Sequence, residues 1–161
     1  MIQKTKKTAI EYAAYLLSVR MYSTAELRKK LLAKEYPFPE VRSVLEDFTR
    51  KGYLNDALYA ENLCSSLTAR GDGKRKIAGK LRMKGIAPEL IDETLGKLDL
   101  EVPEEEAAWQ ALQKKRAALL RESDPQKRKE KAVRYLSGHG FSASAAFSVW
   151  ERFLHDPEGN C

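Results

Sequence analysis

The side chains able to do chemistry in this 161-residue chain are mostly cations, and they are clustered. From Arg70 to Lys84 the sequence carries Arg70, Lys74, Arg75, Lys76, Lys80, Arg82 and Lys84, opposed within the run by Asp72 alone. A second group contains Lys114, Lys115, Arg116, Arg121, Lys127, Arg128, Lys129, Lys131 and Arg134, opposed by Glu122, Asp124 and Glu130. An acidic block from Glu89 to Glu106 separates them. A solvated face intermixes its signs, whereas segregated blocks create a field that attracts an anionic partner. Lys74, Arg75 and Lys76 fall at the expected start of a helix, where cations oppose the helix dipole. Gly71 and Gly73 beside them would allow close backbone approach, so free N–H groups and lysines there are expected to form a phosphate site. The competing reading is a merely soluble basic helix.

Other chemistries find no support. Gly71-Asp72-Gly73-Lys74-Arg75 resembles a nucleotide-binding loop only superficially, because the Gly-Lys-Ser/Thr ending and a preceding strand are missing. His139 and His155 have no Cys or carboxylate cluster at ligand spacing, so no metal and no cofactor is expected. His139, between Gly138 and Gly140, reads as an ordinary turn residue. Glu104, Glu105 and Glu106 read as a helix-start cluster, not a general-acid pair. No Ser/His/Asp or Cys/His nucleophile assembles, which points to a non-enzyme. Most tyrosines and phenylalanines follow the helical stripes, leaving few to stack on bases.

Composition sets the frame for these residues. Lys+Arg 29 against Asp+Glu 23 gives a net charge of +6, and 43% hydrophobic residues suffice for a core, excluding wholesale disorder. No run approaches the roughly 18 apolar residues of a membrane helix. The basic start Met1-Ile2-Gln3-Lys4-Thr5-Lys6-Lys7 leads into a run broken by Glu11, unlike a signal peptide. Cys64 lies on an apolar stripe and Cys161 is the last residue, so no disulfide framework is expected. A cytoplasmic, monomeric protein without membrane contact is the expectation.

The elements that must position the cations are helices. Ile10, Ala13, Ala14 and Leu17 share one face of a first helix. Ser23 and Glu26 form a capping box before a second, with Leu27, Leu31 and Leu32 as its apolar face. Pro39 suits the first turn of a third, lined by Val41, Val44, Leu45 and Phe48 and stopped by Gly52. The pattern then restarts. Asn55 caps a helix with Tyr59, Ala60, Leu63, Cys64 and Leu67; a next carries Ile77 and Leu81 and ends at Gly85; another from Pro88 carries Ile91, Leu95 and Leu98.

Sliding the chain by about fifty residues brings Leu17 onto Leu67, Arg20 onto Arg70, Lys30 onto Lys80, Leu31 onto Leu81, Lys34 onto Lys84 and Leu45 onto Leu95. A third copy sets Leu136, Gly140 and Phe141 on Leu81, Gly85 and Ile86, and Trp150 and Phe153 on Leu95 and Leu98. The long segment from Pro103 to Arg121 is expected to serve as its first helix, with Trp109, Leu112 and Leu119 inward. The expected fold is all-α, three tandem three-helix bundles forming an elongated, curved molecule. The repeats are placed at 8–52, 53–102 and 103–156, with flexible tails at 1–7 and 157–161. Units of about fifty residues are marginal alone and gain from stacking on a neighbour.

Three stretches resemble a known family. Gly52-Tyr53-Leu54-Asn55-Asp56 followed by Tyr59-Ala60 is similar to the signature of the RecX regulators of the bacterial recombinase RecA. Arg70-Gly71-x-Gly73, with Ile77, Leu81 and Lys84-Gly85-Ile86, and upstream Leu17-x-x-Arg20-x-x-Ser23-x-x-Glu26-Leu27, match as well. The likeness runs from about residue 8 to 154 and weakens in the third repeat, with its long first helix and alanine-rich Ser142 to Ala146. The resemblance implies three helical repeats that bind RecA filaments on single-stranded DNA and lie in the filament groove. It implies inhibition of recombinase, ATPase and coprotease activities by blocking extension or promoting disassembly.

On that basis Arg70, Lys74, Arg75, Lys76, Lys80, Arg82 and Lys84 are the leading filament or DNA contacts, followed by Lys114, Lys115, Arg116, Arg121 and Lys127. Double-stranded DNA is a further expected ligand. Arg20, Gly52, Tyr53, Leu54, Asn55, Asp56, Gly73 and Gly85 are assigned to structure first and partner contact second. Leu54 would act as a hydrophobic staple, Tyr53 would pack at the repeat junction, and Arg20 and Arg70 would bond helix-end carbonyls or pair across repeats. The alternative is a stand-alone DNA-binding module, since each unit has a helix-turn-helix-like order. Its third helices are acidic or apolar, which disfavours base reading.

Overall fold

A computed structural model describes residues 7–156. Among them are ten helices and no strand: α1 (Ala9–Val19), α2 (Thr24–Leu32), α3 (Phe38–Arg50), α4 (Asp56–Ala69), α5 (Lys74–Met83), α6 (Pro88–Glu101), α7 (Glu104–Gln113), α8 (Arg116–Leu120), α9 (Pro125–Gly138) and α10 (Ala143–His155). Local chemistry sets most of the starts. Ser23 and Glu26 form the expected capping box, Thr8 and Glu11 form another, and Asn55 and Ser142 each accept from a first-turn amide. Each such cap contributes about 1 kcal/mol.

The apolar stripes assemble three separate cores. Leu27, Leu31, Val41, Val44, Leu45 and Phe48 close the first, with Leu54 joining from the linker. Tyr59, Ala60, Cys64, Leu67, Ile77, Leu81 and Ile91 close the second. Trp109, Leu112, Leu119, Leu136, Phe141, Trp150 and Phe153 close the third. Fully burying one such large apolar side chain stabilises by about 1.5–3 kcal/mol, so these clusters are the main support of each repeat. The principal helix–helix packing is all within a repeat: α1–α3, α4–α6 and α7–α10. The cations therefore sit on units that are each held together locally.

Four expectations are corrected. In α1 the buried face is Ala9, Ala13 and Leu16, whereas Ile10 is 57% exposed and Ala14 is also exposed. The small Ala9 and Ala13 let α1 approach α3, and Glu40 of α3 accepts the Ala9 amide. Leu32 is likewise 41% exposed, outside the α2 stripe. The helix expected from Pro103 to Arg121 breaks between α7 and α8. Lys115 adopts φ −106°, ψ 0°, and the turn directs Leu119 into the third core and Arg116 to the Asp156 carbonyl. Tyr53 is 65% exposed and meets the Phe48 ring edge-on at 5.6 Å, away from the junction. The tail residues 1–6 and 157–161, and with them Cys161, lie outside the described residues.

Consecutive repeats meet at one recurring place. The turn after the second helix of a later repeat docks on the N-terminal end of the second helix of the repeat before it. At the first joint the Ser23 hydroxyl donates to the Lys84 carbonyl at 2.5 Å, and Gly85 lies over Ala25. At the second, the Gly73 amide donates to the His139 carbonyl at 2.6 Å and the Arg75 amide to the Gly140 carbonyl at 3.1 Å. The corresponding turn of the first repeat contains Glu35 at φ 61°, a left-handed conformation that disfavours side chains. Among the described residues no repeat packs against that turn, so a side chain fits where the later repeats hold glycine.

Candidate functional site

At the start of α5 the backbone amides that an anion would use are largely engaged within the protein. The Gly73 and Arg75 amides already donate to the His139 and Gly140 carbonyls, and the Lys76 and Ile77 amides return to the Gly73 carbonyl. The third repeat and the local turn together therefore take up four of the amides at this helix end. A Cβ on Gly73 would lie 2.7 Å from the Gly140 carbonyl carbon, so this glycine serves a close approach of protein backbone.

The acidic partners of the α5 cations come from across the fold as well as from the run. Asp72 is buried and holds Lys76 at 2.7 Å and Lys80 at 2.6 Å. Burial alone would raise the Asp72 pKa, but its bonds to the two lysines outweigh this and hold the carboxyl below its ordinary value. Lys74 pairs with Asp99 of α6, and Lys84 reaches Glu26 of the first repeat at 2.7 Å. These carboxylates explain why lysines are tolerated in the first turn of α5 despite the dipole. Among the described residues Arg70, Arg75 and Arg82 have no ion-pair partner and are exposed.

Arg75 and Arg82 line a cleft of about 630 Å³ with Lys74, Lys76, Ser137 and Gly140. Its walls belong to two repeats, α5 with Leu95 of α6 on one side and the end of α9 with the turn after it on the other.

The second basic group is partly committed to structure. Lys114 donates to the Ala69 carbonyl at 3.0 Å, tying α7 to the end of α4, and Lys115 lies over the Tyr135 ring. Arg116 donates to Gln113 and to the Asp156 carbonyl. Arg121 and Lys127 are exposed, without an ion pair among the described residues.

Of the residues assigned from the motifs, Arg20, Asp56 and Gly85 meet at the first joint. Glu26 is its centre, accepting from Lys84, from the Tyr59 hydroxyl at 3.0 Å and from the Ser23 amide, and pairing with Arg20 at 3.4 Å. Burial opposes its ionisation, yet the bonds from Lys84, Arg20, Tyr59 and Ser23 prevail and hold its pKa down to about 2. Burial first, then the bond to Glu26, push Tyr59 up to about 12. Arg20 also bonds the Met21 carbonyl and stacks on Tyr22 at 3.5 Å. Asp56 accepts from the Thr24 amide at 2.8 Å and the Thr24 hydroxyl, so it caps α2 across the joint as well as favouring its own helix. Leu54 enters the first core and its amide bonds the Phe48 carbonyl, in place of the expected staple. Gly52 and Gly85 adopt left-handed conformations that stop their helices.

Sequence reasoning missed His139 and Gly140 as joint residues. The Gly138-His139-Gly140 triplet was the available signal. It also missed Glu104, whose carboxylate caps α10 through the Ser142 amide and hydroxyl, both at 2.9 Å. No group of three His, Cys, Asp or Glu able to hold a metal occurs among the described residues. Burial pushes the Cys64 thiol pKa up, away from reactivity. No helix among the described residues is long and apolar enough to cross a membrane.

The three bundles correspond one by one to known domains. Family models for the first, second and third three-helix domains of RecX match residues 9–48, 55–95 and 103–150. The chain belongs to the RecX family. Regulatory protein RecX of Mannheimia succiniciproducens is 36% identical over 136 residues, spanning 84% of this chain and 87% of its own. The Thermus thermophilus regulatory protein RecX is 32% identical over 151 residues, spanning 94% and 96%. The crystal structure of RecX from Lactobacillus salivarius superposes with a TM-score of 0.81 at 19% identity, over 91% of this chain and 95% of that one. That likeness establishes the shared fold: three helical repeats in the same order.

Proposed function

We propose that this protein regulates RecA by binding its filament on single-stranded DNA. It lies in the filament groove and inhibits the recombinase, ATPase and coprotease activities by blocking extension or promoting disassembly. In that role it limits homologous recombination and the SOS response, acting by occupancy without a catalytic step or cofactor. The observation that carries this reading is the match of all three RecX domains, in order, along nearly the whole chain. Arg70, Arg75 and Arg82 support it, because an exposed cation without a carboxylate partner is available to an external anion. Lys74, Lys76, Lys80 and Lys84 contribute to the local field while held in internal pairs. Arg121 and Lys127 extend the cationic surface into the third repeat.

The test is RecA's DNA-dependent ATPase with this protein at substoichiometric amounts. Inhibition is expected. Full ATPase activity with DNA binding intact would replace this reading with that of a stand-alone DNA-binding protein.

A further inference from the structure

The cleft between the second and third repeats differs in charge from its counterpart at the first joint. There, Arg20, Lys29, Lys30 and Lys84 line a space of about 430 Å³, but Glu26 stands in the same wall. In the repeat alignment Glu26 corresponds to Lys76, so the second cleft carries a cation where the first carries a carboxylate. Within the second cleft the lysines are already matched: Lys74 by Asp99 and Lys76 by Asp72. The guanidiniums of Arg75 and Arg82 are not.

Arg75 and Arg82 are seven residues apart on α5, which places them on one face about two turns apart. They form a short row of charge rather than a single point. The opposite wall offers the Ser137 hydroxyl and the backbone of Gly138 and Gly140, with no acidic side chain. The apolar lining is limited to Ala78 and Leu95. A protein partner would need aromatic or aliphatic anchor pockets, which this cleft lacks. A strand of phosphodiesters needs spaced forks of donors and room for close approach, which it has.

We propose that this cleft is a phosphodiester-binding site for single-stranded nucleic acid, with Arg75 and Arg82 as its phosphate contacts and the turn after α9 as its second wall. Bound phosphate then bridges two repeats and fixes their relative position. The inference rests on the filament-binding reading above and names which surface meets the DNA directly. It is tested without RecA, so its failure is separate from failure of the ATPase experiment.

Binding of the full chain to a fluorescent oligothymidylate is followed by anisotropy across a salt series. R75Q/R82Q should weaken binding about tenfold or more and reduce the salt slope by about 1.4, the contribution of two phosphates on a single strand. R75K/R82K, which keeps the charge, should retain the slope and controls for folding. K29Q/K30Q, with equal charge loss at the first joint, should change the slope by less than half as much. Hydrogen exchange at Ser137–Gly140 should slow on adding the oligonucleotide. An unchanged slope in R75Q/R82Q would overturn the proposal, as would equal losses from the two neutralised pairs. Competition by poly-glutamate as effective as that by DNA would assign the cleft to an acidic protein instead.

Discussion

At the first joint a hydroxyl and a carboxylate do the connecting: Ser23 donates to the Lys84 carbonyl while Glu26 gathers Lys84, Arg20 and Tyr59. At the second, two backbone amides donate straight to two carbonyls, and glycine sits on both sides of the contact. The docking position is the same and the chemistry is exchanged. A joint of ionised side chains responds to pH and salt. A joint of apposed backbones responds to atomic volume. Added volume disturbs both joints, since Gly85 lies close over Ala25 at the first, whereas pH and salt act at the first through Glu26.

Volume should produce the largest effect. A Cβ on Gly140 would lie 2.5 Å from the Lys76 amide nitrogen, at a residue with φ +87°. Gly140→Ala is expected to destabilise by about 2–4 kcal/mol and to expose the second joint, measured by urea unfolding and hydrogen exchange at Gly73 and Arg75. The loss should persist in high salt. Gly73→Ala tests the opposing face, where the new Cβ meets Gly140 and Phe141 backbone at 2.7 Å.

Charge should come second. Glu26→Gln is expected to cost about 1–3 kcal/mol, because Lys84 and Arg20 lose their shared carboxylate while the side-chain shape remains. Added salt should shrink the difference from the parent, unlike that of the glycine variants.

Acidification sharpens the same contrast. Glu26 is held at about 2, below its unfolded value, so its contribution is complete above about pH 4.3 and is lost as pH falls toward 2. Protection of first-joint amides such as Thr24 should decline across that window. Glu26→Gln should remove that part of the pH dependence, leaving the parts from the other carboxyls held low: Asp47, Asp72, Glu106 and Glu122.

The smallest effect is expected at Tyr53, whose ring meets Phe48 outside both joints. Tyr53→Ser should cost under about 1 kcal/mol and leave both joints' protection unchanged.

The division between joints and bundles also explains what the sequence made legible. Caps and stripes are encoded within a few residues, so Ser23–Glu26, Asn55, the α3 face and the α4 face could be read directly. The α1 face was ambiguous because apolar residues flank it on both sides, and two alanines decided which side approaches α3. The break after α7 escaped notice because alanines and leucines continue through it. The joints unite Ser23 with Lys84 and Gly73 with His139, groups far apart in sequence. The cation runs were visible, but their neutralisation was not, since Glu26 and Asp99 come from other elements. Periodicity records which residues face inward within a unit and carries no signal for which unit-to-unit carbonyl an amide will meet.

The left-handed turn at Glu35 bears on growth. A joint that recurs within one chain could in principle recur between chains, where a head-to-tail contact that does not close extends into a fibre. The docking turns that do engage a neighbour carry Gly85 and Gly140, each without room for a Cβ. Glu35 places a carboxylate side chain at that position on the first repeat. A second copy docking head to tail through this turn would therefore have to seat a glutamate side chain where both internal joints hold a glycine.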